Sequence, residues 1–230
     1  MFLSPNHFQN YYISSTLYKC KTNRAIYNHF QIMQSQLSKT EIIDLLLTDF
    51  YEDFAKSIRD ILISRESVSA LLSLVNDIIT DKRSSSYLKK YKNHRGQIEF
   101  RSAYILEYLY FYDSNYFNEF YPLFFNLFPK VHNESSKRHF GKIMTDILKN
   151  RRYSGSNEQY EAIATACIEW TINDRVRVAV QVWSIETLIL LKSRVPFVNE
   201  VLEELLDQLS LNPSPGMVIR LRKWRNVDPI

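Results

Sequence analysis

The sequence predicts an all-α fold, an α-solenoid of about four to five helix pairs, and three observations carry that prediction. Glycine is scarce, with four residues in 230, too few for the turns of a doubly wound sheet or a β-sandwich. Apolar residues recur at spacings of three and four along most of the chain, the period of an amphipathic helix. Finally, Arg101, Arg138, Arg177 and Arg220 recur at intervals of 37, 39 and 43 residues, each ahead of an apolar helical segment. A period near forty containing two helices is the mark of a stacked helical repeat, in which each pair buries on its neighbours a face it cannot bury alone.

Residues 1–37 read as an N-terminal arm, rich in Tyr, Phe, His and Asn without a sustained period, and residues 38–230 as one helical-repeat domain. Ser38-Lys39-Thr40-Glu41 is a capping box, whose hydroxyl and carboxylate satisfy each other's orphan amides at a helix start. The helix that follows is expected over 39–63, with a break near Thr48–Tyr51. Another is expected over 66–80, with Val68, Leu71, Leu72, Leu74, Val75, Ile78 and Ile79 on its buried side. Residues 81–96, DKRSSSYLKKYKNHRG, are basic and nearly free of aliphatic side chains, and read as an exposed loop.

Helices are then expected at 97–112, 115–131 and 135–151. The next runs from a cap at Ser156-x-x-Gln159 to 172, and the last three cover 175–193, 196–211 and 215–226. Pro196 suits a first-turn position. The stretch from Thr165 to Leu191 is the clearest helix, turn, helix unit.

Composition narrows the function classes. A formal net charge of +4 is too weak to imply nucleic acid by itself. Cys20 and Cys167 are far apart and form no Cys-x-x-Cys pair, which suggests free thiols in a reducing, cytoplasmic setting. No signal peptide is evident, and the most apolar stretch, Ala103–Tyr112, is about half a membrane span and contains Glu107. Neither a metal-ligand spacing nor a Walker, dinucleotide or nucleophile-elbow pattern is present, so no cofactor, metal or membrane partner is expected.

Asp174-Arg175-Val176-Arg177-Val178-Ala179 is similar to the HEAT motif, in which an Asp in the intra-repeat turn pairs with an Arg at the start of the second helix of a neighbouring repeat. The stretches Arg101–Leu109, Cys167–Asp174 and Val182–Leu188 resemble short bacterial HEAT-like proteins of unknown function, which often carry the label adenylosuccinate lyase. The resemblance covers about residues 66–226 and implies a HEAT/armadillo-like α-solenoid, with Arg101, Arg138, Asp174, Arg177 and Arg220 as repeat residues. It brings no established activity. The lyase superfamily's signature is matched only by Ser85–Asn93, which keeps the serines and the Asn and lacks the Met, the Pro and the aligned Lys, so lyase activity is not expected.

Two functional readings follow. In the first, the chain is a non-enzymatic scaffold that binds a protein or peptide in a concave groove lined by Glu107, Asp146, Trp183 and Glu186. In the second, it binds nucleic acid or excises alkylated bases, as HEAT-like glycosylases do with Trp and Asp on a basic surface. Trp170, Asp174 and Arg177, with basic clusters at Lys82–Arg95, Lys137–Arg152 and Arg220–Arg225, would then form the site. The plainer reading makes Trp170 a core residue, Asp174 a cap paired with Arg177, His139 a surface residue, and the acids exposed or Arg-paired.

Overall fold

Eleven α-helices and three short 3-10 turns make up the regular structure of the described part of the computed structural model, which covers residues 35–80, 86–173 and 176–225. No strand occurs among these residues. The chain divides at Gln36/Leu37, and the helices all belong to the second unit, Leu37–Ile230.

Helix α1 (Lys39–Leu46) starts where the capping box places it. Glu41 N donates to Ser38 Oγ at 3.3 Å, and Ser38 N donates to the Glu41 carboxylate at 2.8 Å. It ends at Leu46, and α2 (Phe54–Ser64) and α3 (Val68–Ile79) follow, so the expected break before Phe54 is real. The Arg101 guanidinium supplies the reason, because it donates to the carbonyls of Leu46 and Thr48 and satisfies acceptors that a helix end leaves open.

The expected basic loop is helical where it is described, as α4 (Ser86–Lys90) and a 3-10 turn at Lys92–His94. Tyr91 explains the difference. Its ring is buried and its hydroxyl donates to Asp44 at 2.6 Å, which ties the segment to α1. Residues 81–85 lie outside the described part.

Helix α5 (Arg95–Tyr112) leads into the other departure, the expected helix at 115–131. Two 3-10 turns, Ser114–Phe117 and Phe128–Lys130, flank a short α6 (Tyr121–Leu127). Pro122 sits in the first turn of α6 and Pro129 in the second 3-10 turn, because a residue without an N–H is tolerated only where a helix begins. Aromatic packing holds the segment, with Phe124 stacked on Phe140 at 4.8 Å and Phe117 edge-on to Tyr110 at 4.9 Å.

Helix α7 (Glu134–Lys149) is capped by Asn133, whose Oδ1 accepts from Ser135 N at 3.0 Å and Ser136 N at 3.1 Å. Ser156 and Gln159 form the expected capping box of α8 (Asn157–Ile172). The chain closes with α9 (Val178–Leu191), α10 (Pro196–Ser210) and α11 (Pro215–Arg225).

Packing follows chain order in two rows. In one, α5 lies against α7, α7 against α9 and α9 against α11; in the other, α3 meets α6, α6 meets α8 and α8 meets α10. A single apolar cluster runs between them from Leu37 to Trp224. The closest approach is at Gly141 on α7, where an added Cβ would lie 2.8 Å from Trp183 Cβ on α9. One turn further, the hydroxyls of Thr145 and Thr187 meet at 3.1 Å.

Candidate functional site

Helix α5 is apolar on more than one side, and only one side is used by the core. Ile98, Ile105, Leu106 and Leu109 are buried. Phe100, Tyr104, Tyr108 and Phe111 form a second stripe at spacings of four, four and three, with Tyr112 beside it. Tyr108, Phe111 and Tyr112 are exposed by 38%, 46% and 59%, values that a packing role would not leave. Phe50 and Tyr51, in the link between α1 and α2, are also exposed, and Phe50 stacks on Tyr104 at 6.0 Å. The outer face of α5 is therefore an aromatic surface open to solvent.

Cations frame it. Together with Tyr104, Tyr108, Phe111, Tyr112 and Glu107, the side chains of Arg59 from α2 and Arg138 and Lys142 from α7 line a cleft of ≈ 560 Å³. Arg59 lies 4.2 Å above the Tyr112 ring and binds Asp60 at 2.6 Å. Lys142 lies 4.9 Å from the Phe111 ring and pairs with Glu107. Arg138 is exposed and enters no ion pair or hydrogen bond among the described residues.

Beside the cleft, Glu107 Oε2 stands 2.6 Å from His139 Nδ1, and the same carboxylate accepts from Lys142 Nζ through Oε1. Burial raises the Glu107 carboxyl, but the hydrogen bonds and charges of His139 and Lys142 outweigh it and hold the group below its ordinary value. The His139 ring is flanked by Tyr104 at 5.2 Å and Phe100 at 5.8 Å and is buried, which corrects the reading of it as a surface residue. Its carboxylate partner draws it inward. Burial, followed by the Tyr108 hydroxyl and nearby charge, pushes the Tyr104 phenol up to about 12, so this phenol is a hydrogen-bonding group and not a base at neutral pH.

The residues singled out from sequence are dispersed into separate contacts. Glu107 bridges α5 and α7. Asp146 on α7 accepts from the Tyr110 hydroxyl at 2.7 Å and pairs with Arg152 at 3.1 Å. Glu186 on α9 pairs with Arg220 at 3.2 Å and Lys223 at 3.7 Å, both from α11. Trp183 is half-buried over Gly141.

Of the repeat arginines, Arg101 is buried, Arg138 exposed and Arg220 paired, and Arg177 is exposed at the start of α9, so the four do not share one role. Trp170 is buried, tilted over Phe128 at 4.9 Å, with Lys137 at 5.4 Å from its ring. Asp174 and Arg175 lie outside the described residues, and so does Cys20.

Sequence reasoning missed Tyr108, Phe111, Tyr112 and Arg59, and placed Lys142 only within the basic cluster Lys137–Arg152. A signal existed: the aromatic stripe of α5 lies off the line of its Ile and Leu residues. Among the described residues no group of three or more His, Cys, Asp or Glu could hold a metal ion, and no helix is long and apolar enough to cross a membrane. Comparison with known proteins finds no match: no family model, no curated protein and no solved structure is similar to this chain.

Proposed function

We propose that the chain is a helical-repeat interaction domain of HEAT/armadillo-like build, and that it binds a protein or peptide through the α5 cleft. The two rows of helices, each packed on its chain-order neighbour, support the repeat reading. The observation that carries the function is the exposed aromatic stripe. Burying Tyr108, Phe111 and Tyr112 would remove a large apolar area from water, and Tyr and Arg are the residue types that dominate binding energy at interfaces. The contact set therefore moves from Glu107, Asp146, Trp183 and Glu186 to this stripe, because the three acids already have partners at hydrogen-bond or ion-pair distance.

Nucleic acid is the second reading, since exposed rings beside arginines can stack on bases. The charge pattern favours protein. Phosphate binding needs unpaired cations along a path, whereas Lys137, Lys142, Arg152, Arg220, Lys223 and Arg225 are each within 4 Å of a carboxylate. Trp170, the ring assigned to a lesion pocket, is buried in the core.

Site-specific photo-crosslinking separates the readings. A benzoylphenylalanine at Phe111 is expected to capture a defined protein in native cells, with no such product from the same group at Leu211, exposed by 85% on another helix end. Equal products from the two positions, or a nucleic-acid adduct at Phe111, would refute the proposal.

A further inference from the structure

The chemistry of the cleft narrows its partner beyond the reading above, on which this inference rests. Three cations line it, but Asp60 neutralises Arg59 and Glu107 neutralises Lys142, so among the described residues the balance is one positive charge carried by Arg138. A polynucleotide would bring one phosphate per nucleotide to a site with a single uncompensated cation and a carboxylate in its lining. A lone exposed guanidinium matches one carboxylate, which it can hold through two parallel hydrogen bonds. The aromatic rings match an apolar side chain. A volume of ≈ 560 Å³ is enough for a few side chains and well short of a folded surface.

The helix arrangement sets the distance between these two features. The rings belong to α5 and Arg138 to α7, and packed helix axes lie about 8–10 Å apart. An extended peptide advances about 3.3 Å per residue, so a chain crossing from α5 to α7 covers that distance in about three residues.

We propose that the α5 cleft recognises a short extended peptide with an aromatic or branched aliphatic anchor against Tyr108, Phe111 and Tyr112, and an Asp or Glu two to four residues away bound by Arg138. Arg138 is then the specificity-determining residue, and its exposure means that its replacement leaves the core untouched.

Selection of random nine-residue peptides displayed on phage against the full chain tests this, with Arg138→Glu and the double variant Tyr108→Ala/Phe111→Ala in parallel and circular dichroism melting as the folding control. Wild type is expected to enrich peptides pairing an apolar anchor with an acid at that spacing. Arg138→Glu is expected to replace the acid by Lys or Arg, and to bind the wild-type winner at least tenfold more weakly in fluorescence anisotropy. Enrichment of apolar peptides with no acidic preference, or the same preference in Arg138→Glu, would overturn this inference and leave peptide binding standing. Enrichment no greater than for the double variant would remove both, as would an oligothymidylate that binds more tightly than any selected peptide.

Discussion

Gly141 on α7 faces Trp183 on α9 so closely that a Cβ at position 141 would stand 2.8 Å from the Trp183 Cβ, an atom too near the backbone to swing away. Two effects of Gly141→Ala oppose each other. Alanine gains about 1 kcal/mol of helix propensity, while overpacking a tight interface costs about 1–3 kcal/mol. The clash wins, and urea denaturation is expected to show a net loss of about 1 kcal/mol. The same change at Gly216 in α11, where nothing lies within 4 Å, is expected to be neutral or slightly stabilising. Equal effects at the two positions would contradict the packing argument.

Folding lowers the proton affinity of the Glu107 carboxyl, so the unfolded chain binds more protons there. The stability it contributes is complete above the ordinary carboxylate value of 4.5 and is lost as pH falls through the lower folded value. Glu107→Gln removes this dependence. Below the ordinary value of 4.5 the wild type should lose stability faster than the variant as pH falls, measured by denaturant midpoints at each pH. At neutral pH the variant is expected to cost about 2 kcal/mol, a figure reduced from that of a fully buried pair because Lys142 is 38% exposed.

Arg101 is buried between Phe50 and Phe54, with its guanidinium carbon 5.5 and 5.0 Å from their ring centres, and it closes the end of α1. Arg101→Leu keeps the apolar contacts and leaves the Leu46 and Thr48 carbonyls unpaired, a loss of about 2–3 kcal/mol. Arg101→Lys should recover only part of it, since an ammonium cannot present the planar fork that reaches both carbonyls. Hydrogen exchange should locate the loosening in α1.

The Cys167 thiol is fully buried, and burial pushes its pKa far above the ordinary thiol value. Thiolate is the reactive form, so iodoacetamide should leave Cys167 unlabelled in native buffer and label it in guanidinium chloride, as read by peptide mapping.

Phe111→Ser removes an exposed ring and is expected to change stability by less than about 0.5 kcal/mol while weakening partner binding. A large loss of stability would instead assign the aromatic stripe to packing.

Local features of this protein were legible because local chemistry determines them. Ser38 with Glu41 and Ser156 with Gln159 announce their helix starts, since a capping box is satisfied within four residues. Pro196 at the start of α10 is another such case. The break at 115–131 was also written in Pro122 and Pro129, and the apolar pattern across them concealed it.

What the sequence by itself determined, then, was an all-helical chain with its helix starts and most of its core stripes. Tertiary structure decided which charges are free. Glu107 is an isolated acid in sequence, and only the packing of α7 on α5 brings His139 and Lys142 to it. The same packing that occupies Lys142 leaves Arg138 without an acid among the described residues and turns one apolar side of α5 outward as a cleft. Pairing and exposure depend on residues 32 and 35 positions apart meeting in space, and spacing along one helix carries no record of them.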